Sequence, residues 1–171
     1  MTIEICKLLY MDTDSFIYEL KCNDVYAEMI KTDISRFDTS EYAVDNNYLI
    51  PQANEEKMCF LKDEANGKIV THFVGLRSKM YTNKVQGGKV LKKSKGVKTN
   101  VVKNKIGFED YLACLKEFKQ ITTSQRCIRS YAHNVFSIEQ SKVALSPYDD
   151  KRYLIPVSFE TLPCGHQDAK E

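Results

Sequence analysis

Two short apolar runs frame the N-terminal part of the chain: Leu8-Leu9 stands before, and Phe16-Ile17-Tyr18 after, the polar string Asp12-Thr13-Asp14-Ser15. Ile3, Ile5, Leu8 and Leu9 on one side, and Phe16, Ile17, Tyr18 and Leu20 on the other, have the β-branched and aromatic character of strands, and Thr13 falls where the chain must reverse. The prediction is a β-hairpin with two carboxylates, Asp12 and Asp14, one residue apart at its tip. Like charges that close repel unless a cation lies between them. Carboxylate oxygens suit Mg²⁺, which takes one or two of them and fills its other positions with water and substrate phosphate oxygens. The pattern points to a nucleotide or another phosphate ester as substrate. An isolated Asp-x-Asp is more often a solvated turn or a helix cap, and the flanking strands lift this one above that reading.

Charge is unevenly spread. Residues 1–64 carry 6 Lys+Arg against 14 Asp+Glu, residues 65–108 carry 11 against none, and residues 109–171 carry 8 against 9, although the net charge is only +2. A 44-residue stretch with that many cations and no acid is an electrostatic footprint for a polyanion, while the acidic block holds the metal-site candidates. The 171 residues, 43% hydrophobic and 28% charged, suffice for one core or two small subdomains. No run of 18 apolar residues and no secretory leader is found, so an intracellular protein without a membrane partner is expected. Cys6, Cys22, Cys59, Cys114, Cys127 and Cys164 include no Cys-x-x-Cys pair, which argues for reduced thiols over a zinc site or disulfide frame. Cys164-Gly165-His166 reads as a turn.

Along the chain, Val25, Met29, Ile30, Ile34 and Phe37 predict an amphipathic helix over 24–37 with Asn23 as its cap, packed beneath the hairpin. Residues 38–56 read as a loop. Met58-Cys59-Phe60-Leu61 and residues 69–74 read as strands joined by a hairpin turn at Asn66-Gly67, continuing the first sheet. In an extended segment over 75–81, Arg77, Lys79 and Tyr81 share one face and Leu76 and Met80 the other. That face suits a DNA backbone; a half-buried strand with solvated cations has the same pattern. The lysines that follow, including Lys92, Lys93, Lys95 and Lys98, alternate with Gly87-Gly88 and Gly96, predicting a flexible basic connection that tracks a phosphate backbone without reading sequence. Taken alone it is equally a nuclear import signal or a solvated surface. Phe108, Tyr111, Leu112, Leu115 and Phe118 predict a core helix, residues 127–131 and 134–138 two strands around His133, Ser146-Pro147 a short helical turn, and residues 153–156 a last strand. Asp149-Asp150 is explained by helix capping beside Lys151 and Arg152. The fold class expected is α+β: an antiparallel sheet with the hairpin and packed helix, then a small helix-plus-hairpin region.

Tyr10-Met11-Asp12-Thr13-Asp14-Ser15 resembles the Tyr-x-Asp-Thr-Asp-Ser signature of family B DNA polymerases, and Lys79-Met80-Tyr81 resembles the Lys-x-Tyr motif of their protein-primed members. Looser likenesses at residues 60–64, 95–98, 107–112 and 142–147 extend the resemblance over most of the chain, particularly to enzymes of Polinton or Maverick transposons and related viruses. The resemblance implies a palm over 1–95 and a thumb-like region over 96–171. It makes Asp14 a direct ligand of a two-metal Mg²⁺ site, Asp12 its support, Tyr10 and Ser15 packing around the turn, and Lys79 and Tyr81 holders of the primer strand. Arg77, Lys92, Lys93, Lys95 and Lys98 would join them in binding DNA. Implied partners are primer-template DNA, deoxynucleoside triphosphates and a terminal protein primer, at work in the nucleus or a viral factory.

Nucleotidyl transfer by two metals needs carboxylates from both sides of the site. The family's Asp-x-x-Ser-Leu-Tyr-Pro and Lys-x-x-x-Asn-Ser-x-Tyr-Gly strings are not found here. The resemblance therefore implies that the partner aspartate and the exonuclease carboxylates precede residue 1, that Met1 is an internal start or the edge of a truncated gene model, and that the chain alone binds metal weakly and extends nothing. A non-catalytic DNA-binding remnant is the alternative, in which substituting Asp14 changes nothing. A metal-dependent glycosyltransferase would also use Asp-x-Asp, but has no use for the acid-free basic segment.

Overall fold

In the computed structural model, which describes residues 5–149, 152–158, 160–163 and 165–167, the first hairpin forms where the apolar runs place it. Strand β1 (Ile5–Asp12) pairs antiparallel with β2 (Ser15–Lys21) across a two-residue turn. The register slips by one residue between Leu8 and Tyr10, so Leu9 is a bulge. Strand alternation then puts Cys6, Leu8, Met11, Phe16, Tyr18 and Leu20 on one face and Lys7, Tyr10, Asp12, Ser15, Ile17 and Glu19 on the other. The apolar face is open: Leu8, Met11, Phe16 and Tyr18 are exposed, with the Phe16 and Tyr18 rings stacked at 5.9 Å. Contrary to the expected continuous sheet, β1 and β2 pair only with each other among the described residues.

The helix expected over 24–37 is replaced by one π turn, Tyr26–Ile30, and one 3₁₀ turn, Ile34–Arg36. Local side-chain bonds compete with the helix ladder here. Asp24, rather than Asn23, accepts from the Tyr26 and Ala27 N–H groups, the Thr32 hydroxyl donates to the Ala27 carbonyl at 3.3 Å, and Asp33 takes both the Ser35 hydroxyl and the Arg36 guanidinium. Tyr26, Ile30, Phe37, Tyr42 and Ile50 form the core of this first unit, which comprises Met1–His72 and Lys84–Lys89.

Strands β3 (Phe37–Asp38) and β4 (Leu61–Lys62) pair in parallel, so the residues around 58–62 do not enter the hairpin expected at Asn66-Gly67. The reason is Asp63: its carboxylate accepts the Ala65 and Gly67 N–H groups and the Tyr42 hydroxyl, closing the turn on itself. The loop over 38–56 is held by polar side chains, chiefly Asn46, which bonds Ala43, Tyr48 and Ile50, and Asp38. Buried Asp38 accepts from the Ser40 hydroxyl at 2.7 Å, the Ser40 N–H at 3.0 Å and the Glu56 N–H at 3.1 Å. These bonds, the Ser40 hydroxyl first, hold its carboxyl below the usual carboxylate range. The unfolded chain therefore binds the proton more readily than the folded one, so this contribution is complete above the ordinary carboxylate pKa and is lost as pH falls through the depressed value. Asp38→Asn is expected to lower the Tm at neutral pH and flatten its fall below pH ~4, which thermal melts across pH will read.

The second unit comprises Phe73–Asn83 and Val90–Glu171. Strands β5 (Val70–Arg77), β6 (Met80–Val85) and β7 (Val90–Ser94) form a three-stranded sheet in chain order. Helices α1 (Thr99–Lys105) and α2 (Phe108–Glu117) follow, so the segment expected to be a flexible basic connection is largely regular. Asp110 accepts from the Gly107 N–H at 2.6 Å and closes the start of α2; Phe118, in the left-handed region at φ 53°, ends it. The core gathers Val74, Met80, Val102, Ile106, Phe108, Tyr111, Cys114, Ala144 and Leu145. Leu115 and Phe118, expected on the buried stripe of α2, are exposed.

A long ribbon, β8 (Ile121–Tyr131) against β9 (Asn134–Leu145), is rooted in that core at its base and turns at Ala132-His133. Its distal half leaves Ile128, Tyr131, Val135 and Phe136 exposed. Ser146 receives the Tyr148 N–H on its hydroxyl and donates its own N–H to the Met80 sulfur, and no helical turn forms at Ser146-Pro147. Strands β10 (Arg152–Leu154) and β11 (Thr161–Pro163) make a final antiparallel pair. Asp150 and Lys151, and Cys164 of the Cys164-Gly165-His166 turn, lie outside the described residues. The architecture is α+β, and no helix among the described residues is long and apolar enough to cross a membrane.

Candidate functional site

The turn of the first hairpin consists of Thr13 and Asp14, with Asp12 paired opposite Ser15. Asp14 is exposed and Asp12 half-buried. The Ser15 hydroxyl donates to the Asp12 carbonyl at 3.1 Å and the Thr13 hydroxyl to an Asp12 carboxylate oxygen at 3.4 Å, so the two flanking hydroxyls brace Asp12 and leave Asp14 at the apex. Tyr10 pairs opposite Ile17 and so lies on the Asp12 face, away from Phe16 and Tyr18, while the Leu9 bulge turns Leu8 to the other face. Among the described residues no cluster of three or more His, Cys, Asp or Glu side chains is assembled. Two carboxylates on a tight turn are a hard-oxygen donor set of the kind Mg²⁺ takes from protein.

Thr13 sits at φ 57°, where a β-branched side chain is strained. The two-residue reversal demands that conformation from whatever residue stands there. Thr13→Gly is expected to stabilise the hairpin by about 1 kcal/mol, the relief of the left-handed strain less the entropy glycine costs the folded chain. Slower amide hydrogen exchange across β1 and β2 will measure it.

The cations of residues 65–108 belong to the second unit, except that Lys68, Lys84 and Lys89 group with the first. Arg77, Lys79 and Tyr81 do not share a strand face. Arg77 ends β5, Ser78 and Lys79 make the reversal with Lys79 at φ 59°, and Tyr81 lies in β6. Met80 is core at 1% exposure, as its position predicted. Arg77 donates to the Tyr148 carbonyl at 3.1 Å, and the Tyr81 ring lies 6.0 Å from Phe73. Lys92 holds the fold together instead of facing outward, since its ammonium donates to the Lys103 and Ile106 carbonyls at 2.8 and 2.6 Å and caps the C-terminal end of α1. Lys93, Lys95 and Lys98 are placed differently: all three are exposed, Lys93 in β7 and Lys95 and Lys98 in the turn that leads into α1. The Lys93 carbonyl accepts from the Tyr111 hydroxyl, and the Lys95 N–H donates to the Lys79 carbonyl at 3.0 Å, which brings the 78–79 and 95–98 turns together.

One contributor escapes a reading by local pattern. Gln125, buried on β8, accepts from the Lys98 N–H at 2.9 Å and donates to the Gly96 carbonyl, pinning the 95–98 turn to the ribbon. No signal in the sequence around Gln125 could have announced that contact.

No protein-family model matches the chain, and neither a curated protein nor a solved structure does.

Proposed function

We propose that the chain is part of a DNA-directed DNA polymerase of the protein-primed family B type, contributing metal-binding carboxylates for nucleotidyl transfer to a primer 3′-hydroxyl together with contacts to primer-template DNA. The observation that carries this reading is the hairpin tip, where Asp14 stands at the apex of a two-residue turn and Asp12 is braced beside it by Thr13 and Ser15. Asp14 and Asp12 would hold Mg²⁺, which when bound there lowers the pKa of the attacking hydroxyl and neutralises charge on the leaving pyrophosphate. The remaining carboxylate such a site needs comes from a further segment. Thr13 and Ser15 orient Asp12, and Arg77, Lys79, Tyr81, Lys93, Lys95 and Lys98 position DNA by its backbone. In this reading residues 1–95 serve as palm and 96–171 as thumb.

Adding Mn²⁺ as a paramagnetic probe to the isotopically labelled chain tests the metal site. Broadening of amide signals confined to residues 12–15, and lost in Asp14→Ala, is the expected result. Salt-sensitive DNA binding with no response to metal would favour the DNA-binding remnant, and hydrolysis of a nucleotide sugar without any response to DNA would favour a glycosyltransferase.

A further inference from the structure

The base of the β8–β9 ribbon carries a cation that the two motifs do not include. Lys142 pairs opposite Thr123, and strand alternation puts it on the same ribbon face as Gln125, the residue that holds the 95–98 turn. Its ammonium nitrogen lies 3.0 Å from the point a Cβ would occupy on Gly96, and Gly96 itself adopts φ +84°. The backbone conformation favours glycine there, and a Cβ would press on the flexible end of the Lys142 side chain. The Lys95 N–H bond to the Lys79 carbonyl adds the neighbouring turn, so the backbones of Lys79, Lys95 and Lys98 and the Lys142 ammonium group meet around Gly96. Among the described residues none of Lys95, Lys98 and Lys142 has a carboxylate partner. Lys95, Lys98 and Lys142, placed around one glycine turn, make a local excess of positive charge that a polyanion would neutralise. No aromatic side chain stands between Thr82 and Gly107, so stacking on bases is not what this segment offers.

We propose that Lys142 docks a backbone phosphate of the same DNA that Lys95 and Lys98 contact, with Gly96 serving as the opening that admits its ammonium group. The inference rests on the DNA-binding part of the reading above and adds to it a residue from the thumb-side ribbon. It assigns Lys142 a positioning role and no part in the chemistry.

The test is fluorescence anisotropy of a labelled primer-template duplex with the full chain over a range of salt concentrations. Lys142→Gln is expected to weaken binding about 3- to 10-fold near 0.1 M salt and to flatten the log–log salt slope by about 0.9, the loss of one counterion-releasing contact. Lys142→Arg should restore both. Lys116→Gln on α2 should leave the slope unchanged. If Lys142→Gln keeps the parental slope while Lys95→Gln lowers it, the inference is overturned and the DNA reading survives. If the parent chain binds no duplex at any salt concentration, both fall.

Discussion

On the polymerase reading proposed above, Asp14→Ala is expected to abolish primer extension, lowering the rate by at least ~10²–10³-fold, the scale on which loss of one transition-state stabiliser is felt. The residue stands at the apex of the turn and donates nothing to the packing of the first unit, whose core lies at Tyr26, Ile30, Phe37, Tyr42 and Ile50. The substitution should therefore leave the melting curve and DNA affinity close to the parent. Asp14→Asn keeps the shape and removes the charge, and should be nearly as inactive. Asp12→Ala should retain more activity, because that reading makes Asp12, which Thr13 and Ser15 brace, the supporting group. Single-turnover extension with Mg²⁺ in excess separates these cases. Full activity of Asp14→Ala would remove the metal role and leave the remnant reading.

Tyr111→Ala is expected to destabilise the second unit by about 3–5 kcal/mol, the usual cost of truncating a buried aromatic, and so to take much of the stability of a small domain. Tyr111 is fully buried at 0% exposure, packed among Val74, Met80, Phe108 and Leu145, and burial pushes its phenol well above the usual tyrosine range. Its hydroxyl donates to the Lys93 carbonyl at 2.8 Å, tying α2 to β7. Tyr111→Phe keeps the ring and loses only that bond, for about 1 kcal/mol. Urea denaturation of the three proteins orders them. A Phe variant as unstable as the Ala variant would place the energy in the hydrogen bond and overturn the packing account.

What the sequence made legible was governed by how local each determinant is. The hairpin was readable because its signal is contained within one short stretch, two strand-like runs and a polar reversal between them. The helix over 24–37 failed because apolar spacing says nothing about Asp24, Thr32 and Asp33 diverting the backbone into single turns. The parallel pairing of β3 with β4 joins two very short strands that lie far apart along the chain and leaves no periodic trace. Ser78-Lys79 carries none of the glycine, proline or asparagine that usually marks a reversal, so the pattern there is that of one continuous strand. For the candidate site, the two carboxylates stand at the tip of a turn as their spacing implies, whereas a count of lysines carries no positions. Charge counting cannot separate Lys92, which caps a helix, from Lys95, which is exposed beside Gly96.

The bulge at Leu9 carries a consequence for length variation. Strand β2 alternates without interruption, and the residues of β1 on either side of Leu9 keep their partners because that one residue is left out of the ladder. Leu9 is a spare link in the chain. A version of the hairpin lacking it would run in regular register with Leu8 opposite Tyr18, Tyr10 opposite Ile17 and Asp12 still opposite Ser15. Chains of this type can therefore differ by one residue at this point and present the same carboxylate on the same side, so a gap between Leu8 and Tyr10 in a comparison of relatives is no sign of a lost site.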